Sequence, residues 1–332
     1  MKTEIIMKKI DLITGFLGSG KTTFISEYAD YLVRRGERVA IVVNDYGAIN
    51  VDRLLLEKTL GDKCHLEMVI GGDPDCTKRR LKTKLITMGL AGYTRVIVEP
   101  SGIFDADEFF DLIYEEPLER MFEPGNVITI IDAGFITEQI SFEKSNGKDT
   151  EIRYLLASQL AKAGTAVLSK MDEATETADY TVNIIKNYVN DCLMEFKCAR
   201  QLDDLYVWKK VAINDQDFSR ISVSGYHSGE MIKLPVTDSN SFNSIFYFHV
   251  KTDVNKLEDT IKKIFNDSQN GRLIRLKGFI QTEDGGWLEV NATPRVVNIS
   301  PIDVGQELFI MIGENLDQER IGEYWDEYRN TI

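Results

Sequence analysis

Along its first two hundred residues the chain alternates short apolar runs with stretches that repeat an apolar residue every third or fourth position. KIDLIT (9–14), ERVAIVVND (37–45), HLEMVI (65–70), RVIVEP (95–100), VITIID (127–132) and TAVLSK (165–170) are β-branched and nearly continuous in apolar residues. Strands buried on both faces read this way. Helical spacing occurs over 21–35, 77–90, 104–113, 151–162 and 173–195, mostly between those runs. Strand and helix in alternation predict a doubly wound, mainly parallel α/β sheet.

The rhythm changes after about residue 212. Residues 213–243, rich in Ser, Asp, Asn and Gly, read as a linker or a set of loops. From 244 the order becomes a strand (244–250), a helix (254–267), strands at 272–281, 286–291, 294–299 and 307–313, and a closing helix (316–328). Successive strands with helices at the ends predict a smaller α+β domain. The expected division is therefore 1–212, a linker over 213–243, and 244–332.

Composition adds a constraint on partners. Among 332 residues, 39 Lys plus Arg face 53 Asp plus Glu, a net charge of −14. Such a field repels nucleic-acid backbones and anionic membranes, so neither is an expected partner. No apolar run is long enough to span a bilayer, and Glu4 and Asp11 interrupt the first one, unlike a secretory signal. Four cysteines, Cys64, Cys76, Cys192 and Cys198, make no disulfide framework and suit a reducing, cytoplasmic setting.

Chemistry enters with GFLGSGKTT, residues 15–23, which follows the first strand and opens the first helix. It satisfies Gly-x-x-x-x-Gly-Lys-Thr, the phosphate-binding loop. Gly15, Gly18 and Gly20 let the backbone curl around Ser19 so that N–H groups converge on phosphate oxygens. Lys21 would reach the β- and γ-phosphates, Thr22 would offer its hydroxyl to Mg²⁺, and Thr23 continues the helix N-terminus. Carboxylates at neighbouring strand ends are the candidates for holding that ion: Glu99, Asp45 and, less directly, Asp132. After the strand at 165–170, Ser169-Lys170-Met171-Asp172 resembles the guanine-reading motif of P-loop GTPases, with Ser169 where Asn is usual. The Asp172 carboxylate would accept both hydrogens of guanine's N1 and exocyclic amine, and the Lys170 stem would lie along the ring.

Taken together these segments resemble the CobW-like metallochaperone GTPases, relatives of UreG and HypB. The likeness is carried by TGFLGSGKTT, VNDYGAINVD, VIVEPSG, QLAKAGTAVLSKMD and, near the carboxy terminus, RLIRLKGFI with its Arg-x-Lys-Gly-Phe at 275–279. The resemblance implies GTP hydrolysis with Mg²⁺, coupled to handling Zn²⁺, Co²⁺ or Ni²⁺ for a client metalloprotein. VNDYGAINVD would act as the nucleotide-dependent switch, and a homodimer is compatible with it. Two rivals are a GTPase that activates a metalloenzyme or corrinoid protein without carrying metal, and a P-loop kinase. Lys170-x-Asp172 argues against the kinase.

One segment departs from the pattern. Where the family reads Gly-Cys-x-Cys-Cys-Thr, this chain has Gly72-Asp73-Pro74-Asp75-Cys76-Thr77. Asp73, Asp75 and Cys76 could still hold a transition metal, with a harder donor set than three thiolates. Equally, Asp-Pro starts a turn and Asp75 could cap the helix that follows. Ala48 replaces a second glutamate of the switch segment. Cys64-His65, Cys192 and Cys198 read as packed side chains, and KRRLKTK (78–84) as a solvated helix face.

Overall fold

A computed structural model describes residues 7–16, 18–45, 56–57, 59–70, 74–100, 106–171, 178–203, 205–208, 213–234, 242–282, 284–303 and 305–330. Two compact units divide at Leu234/Pro235.

In the first unit, the strands β1 (Lys8–Gly15), β2 (Val39–Asp45), β3 (His65–Ile70), β4 (Arg95–Glu99), β5 (Phe122–Asp132), β6 (Thr165–Ser169) and β7 (Tyr206–Val207) form one sheet among the described residues. Its order is β3-β2-β4-β1-β5-β6-β7, and every pairing is parallel. Alternate residues feed opposite layers. Val39, Ile41 and Val43 join Ile13, Ile97 and Ile128 beneath α1 (Lys21–Arg34). Ala40 and Val42 join Leu12, Val96 and Val98 beneath α2 (Pro74–Ala91) and α3 (Ala106–Ile113). Both faces are covered, so the strands are apolar throughout, as a doubly wound sheet requires.

β5 starts at Phe122, five residues ahead of the predicted 127. Pro124 and Gly125 hide that extension from any apolar pattern, and the register with β1 shifts between Ile10 and Leu12. The irregularity makes room for a buried ion pair. Asp11 accepts two 3.0 Å bonds from Arg95, one of 2.8 Å from Tyr28 Oη and one of 2.7 Å from the Asn126 N–H. A Cβ on Gly125 would lie 2.0 Å from the Asp11 carboxylate.

Two helices absent from the pattern follow. α4 (Ala133–Asn146) buries Ala133, Gly134, Ile136 and Gln139, a face too small and too polar to read as amphipathic. α5 (Thr150–Ala161) and α6 (Ala178–Glu195) come next. The segment expected to begin a linker instead carries α7 (Asp215–Ile221), capped by Asn214, whose side chain accepts from the Asp217 N–H. Ile213, Phe218 and Ile221 join the core under α1. The Phe218 ring packs 5.3 Å from Tyr31, and Arg34 makes a bidentate pair with Asp215 at 2.7 and 2.8 Å. Here the polar residues Asn214 and Asp215 are a cap and half of a surface pair around an apolar insert, while 222–234 are largely irregular.

The second unit is an antiparallel sheet ordered β11-β10-β9-β12-β8-β13 among the described residues. Its strands are β8 (Phe242–Lys251), β9 (Arg272–Gln281), β10 (Trp287–Ala292), β11 (Val297–Ile302), β12 (Leu308–Glu314) and β13 (Glu327–Arg329). α8 (Leu257–Asn266) lays Leu257, Ile261 and Ile264 on it, the spacing of one helical face. The helix expected over 316–328 is replaced by the short α9 (Gln318–Gly322) and by β13, which pairs with β8. Burial explains the change. Trp325 stacks 5.0 Å from Phe309, and the chain folds back so tightly that a Cβ on Gly322 would meet the Tyr328 ring.

Candidate functional site

β1 hands the chain to the glycine loop at the C-terminal edge of the sheet, where parallel α/β folds gather ligands. Two glycines there are sterically required. Gly15 has φ 139°, and a Cβ on it would stand 2.3 Å from the Ile130 carbonyl oxygen. Gly20, at φ 99°, caps α1, and a Cβ on it would meet the Trp208 ring at 3.3 Å. Gly18 also has positive φ, 78°. The Ser19 N–H donates to the Phe16 carbonyl at 3.1 Å, closing the curl.

Lys21, the first residue of α1, is only 4% exposed. Its ammonium donates to the carbonyls of Gly15 at 3.0 Å and Phe16 at 3.1 Å, and lies 3.8 Å from Glu99 Oε1. Glu99 ends β4, adjacent to β1, and is itself buried. Thr22 is half-exposed and Thr23 exposed at the same helix end. Asp45 ends β2 two residues beyond Val43, which pairs with Glu99. The side chains of Asp45 and Asp75, together with Asp73 and Asp172, lie outside the described residues.

On the other side of the loop, Ser169 and Lys170 close β6. The Ser169 hydroxyl donates at 2.6 Å to the Ser19 carbonyl, with the Ile131 carbonyl also near, at 3.2 Å. Lys170 takes a left-handed backbone, φ 53°, and its ammonium lies 2.7 Å from Asp132 Oδ2. This pairing places Asp132, the less direct of the candidate ion ligands, beside Lys170. It faces Lys170 and caps α4 by accepting from the Phe135 N–H at 3.0 Å. The Phe135 ring in turn packs 5.0 Å from Phe16 in the glycine loop.

Trp208 was invisible to motif reading. It follows the two-residue β7, its N–H donates to the Leu168 carbonyl at 2.8 Å, and its ring lies against Gly20 and Phe24. The β6–β7 pairing brings this residue, distant in sequence, to the loop.

The remaining candidates sort by environment. Cys76 is half-buried near the start of α2. Among the described residues no cluster of three His, Cys, Asp or Glu side chains is placed to hold a metal. Burial pushes the Cys64 thiol up to about 11 and that of Cys192 to about 12, which keeps both protonated and poor as ligands. The basic run on α2 is ion-paired at the surface: Lys78 and Lys82 with Glu115, Lys84 with Glu67. Among the described residues no helix is long and apolar enough to cross a membrane.

A strand, a glycine loop and a helix with a buried lysine, at the C-terminal edge of a parallel sheet covered on both faces, define a P-loop nucleoside-triphosphatase fold. Within that class the chain belongs to the CobW/HypB/UreG family, whose nucleotide-binding domain matches residues 9–192. The cobalamin synthesis protein cobW C-terminal domain matches residues 243–329. The chain is 28% identical over 175 residues to the zinc chaperone YeiR of Escherichia coli K12, covering 52% of this chain and 49% of that one. It is 25% identical over 177 residues to the zinc chaperone YjiA of the same organism, covering 50% of each. With the zinc-regulated GTPase metalloprotein activator 1 of Dictyostelium discoideum it shares 24% over 327 residues, 87% of this chain and 64% of that one. The matched region spans about half the length of the two bacterial relatives.

Proposed function

We propose that this protein is a GTP-hydrolysing switch that assists delivery of a transition metal, zinc foremost, to a client metalloprotein. The observation that carries the reading is the Lys21 ammonium, buried between two loop carbonyls and Glu99 at the head of α1. On nucleotide binding this ammonium would turn from the Gly15 and Phe16 carbonyls to β- and γ-phosphate oxygens. There it would offset the charge that builds during transfer to water. The N–H groups at the head of α1 would hold the same phosphates. Ser19 Oγ, buried and without a hydrogen-bond partner among the described residues, suits such a polar guest.

The donors fit a hard divalent ion. The half-exposed Thr22 hydroxyl, the buried Glu99 carboxylate and Asp45 are oxygen ligands of the kind Mg²⁺ takes. Bound there, Mg²⁺ would neutralise charge between the β- and γ-phosphates. Ser169, Lys170 and Asp172 would recognise guanine. The zinc in the relatives' names supports zinc as cargo, while HypB in the family description leaves room for other metals.

Phosphate release from GTP with Mg²⁺, by unaltered protein and by Lys21→Ala, tests the reading. Turnover should be lost and GDP affinity should fall in the variant; equal activity would refute it.

A second reading rests on the Asp73-Pro74-Asp75-Cys76 loop, which keeps one of the family's three thiols. In that reading the GTPase activates a metalloprotein without carrying metal. Titration of Zn²⁺, Co²⁺ and Ni²⁺ into the protein bound to a GTP analogue, repeated with Cys76→Ala, separates the two. A stoichiometric site weakened by the substitution supports the carrier. Absence of any site supports the activator.

A further inference from the structure

We infer that Asp132 is a positioning residue for nucleotide recognition, holding the Lys170 side chain as a fixed strut against which the base lies. The inference rests on the guanine reading of Lys170 and Asp172 given above.

The two residues end neighbouring strands: Asp132 pairs with Ser169, the residue before Lys170. The Lys170 backbone is left-handed, φ 53°, a conformation that lysine rarely adopts. That geometry aims its stem back across the strand ends, and the ammonium is anchored 2.7 Å from Asp132 Oδ2. The Asp132 side chain is 6% exposed and that of Lys170 21%, so water screens the pair only partly. Asp132 is not free to swing, because its other oxygen, Oδ1, caps α4 at the Phe135 N–H. One carboxylate therefore joins a helix start to the lysine, with one oxygen given to each.

A free lysine samples many rotamers, and ordering it when a ligand arrives weakens binding. With both ends fixed, its four methylenes form a ready apolar strip for one face of a purine, and the ordering has been done during folding. The charge of Asp132 also leaves the ammonium neutralised, so the surface offered to the base is the stem. The role is to prepare Lys170; nothing requires Asp132 to touch the nucleotide.

Asp132→Asn separates this role from the cap. Asparagine caps helices as well as aspartate does, so α4 keeps its start, but the negative charge that anchors the Lys170 ammonium is lost. Calorimetry with Mg²⁺ would compare GDP, ADP and inorganic pyrophosphate, the last touching only the phosphate loop. In Asp132→Asn, GDP should bind about three- to tenfold more weakly, the loss expected for ordering one long side chain. Pyrophosphate affinity should stay unchanged, while the melting temperature should fall modestly, because a partly buried ion pair is lost. In a Lys170→Met background the same substitution should have no further effect on GDP, since both changes act through one side chain.

Unchanged GDP affinity in Asp132→Asn would overturn the inference, as would parallel weakening of GDP and pyrophosphate, or an undiminished effect in Lys170→Met. If the unaltered protein bound ADP as tightly as GDP, the guanine reading itself would fall and this inference with it. GDP preference in the unaltered protein with no response to Asp132→Asn would remove the strut alone.

Discussion

Ser169 fastens the end of β6 to the phosphate loop: its hydroxyl donates at 2.6 Å to the carbonyl of Ser19, and both residues are buried. A residue expected to face the base edge is therefore also a clasp on the loop that receives phosphates. Ser169→Ala leaves the Ser19 carbonyl without that donor. The expected result is a loss of about 1–2 kcal/mol in unfolding free energy. It should come with about tenfold weaker GDP binding, because the loop is less well held. Chemical denaturation and calorimetry check the two effects separately.

Steric demand at Gly15 gives a sharper outcome. Gly15→Ala sets a methyl 2.3 Å from the Ile130 carbonyl at φ 139°, so the loop must shift. Destabilisation of about 2–5 kcal/mol is expected, combining overpacking with backbone strain. Gly36→Ala is the control. It also has positive φ, 88°, but nothing lies within 4 Å, so it should cost only about 1–2 kcal/mol. Similar melting temperatures for the two variants would contradict the steric account.

Trp208 offers an optical report on the site. The other two tryptophans, Trp287 and Trp325, belong to the second unit. A ring packed on Gly20, where α1 begins, should change emission when a nucleotide occupies the loop. The change on adding GDP should vanish in Trp208→Phe, whose own destabilisation should stay below about 1.5 kcal/mol. A response that persists in the variant would place its origin elsewhere.

Acidity should weaken the second unit through Asp267. Arg320 pairs with its carboxylate at 2.8 Å, the Gln269 N–H and Tyr324 hydroxyl add further bonds, and together they lower its pKa to about 2. A carboxylate depressed in the folded state contributes stability above its unfolded pKa, near 4, and loses it as pH falls toward 2. Asp267→Asn should therefore be less stable than the unaltered protein at pH 7, and the difference should close between about pH 4 and pH 2. Denaturation followed at several pH values checks the convergence.

The sheet was legible because parallel strands covered on both faces must be apolar throughout, and short β-branched runs such as AIVV (40–43) fit that demand. The phosphate loop was legible because its glycines, lysine and threonine fall at fixed spacing within nine consecutive residues. α4 was missed because its buried face includes Gly134 and Gln139, and α7 because Phe218 and Ile221 are the only apolar residues in a seven-residue helix with polar caps. The closing helix was misjudged because Trp325 gains more from stacking on Phe309 than from continuing a helix. Within the site, Lys21 and Glu99 were found where strand ends and motif spacing pointed. The service of Asp132 to Lys170, the grip of Ser169 on Ser19 and the approach of Trp208 to Gly20 depend on which strands are neighbours. That information lies in the tertiary structure and leaves no local mark.

α7 has a practical bearing on any attempt to study the amino-terminal unit alone. Cutting the gene at codon 212, where the composition changes, would strip Phe218 from the rings of Phe24, Tyr28 and Tyr31 and take Asp215 from Arg34. The shortened product would carry a greasy wound on its nucleotide-binding helix and should precipitate. Extending the clone through Leu234 keeps that surface closed.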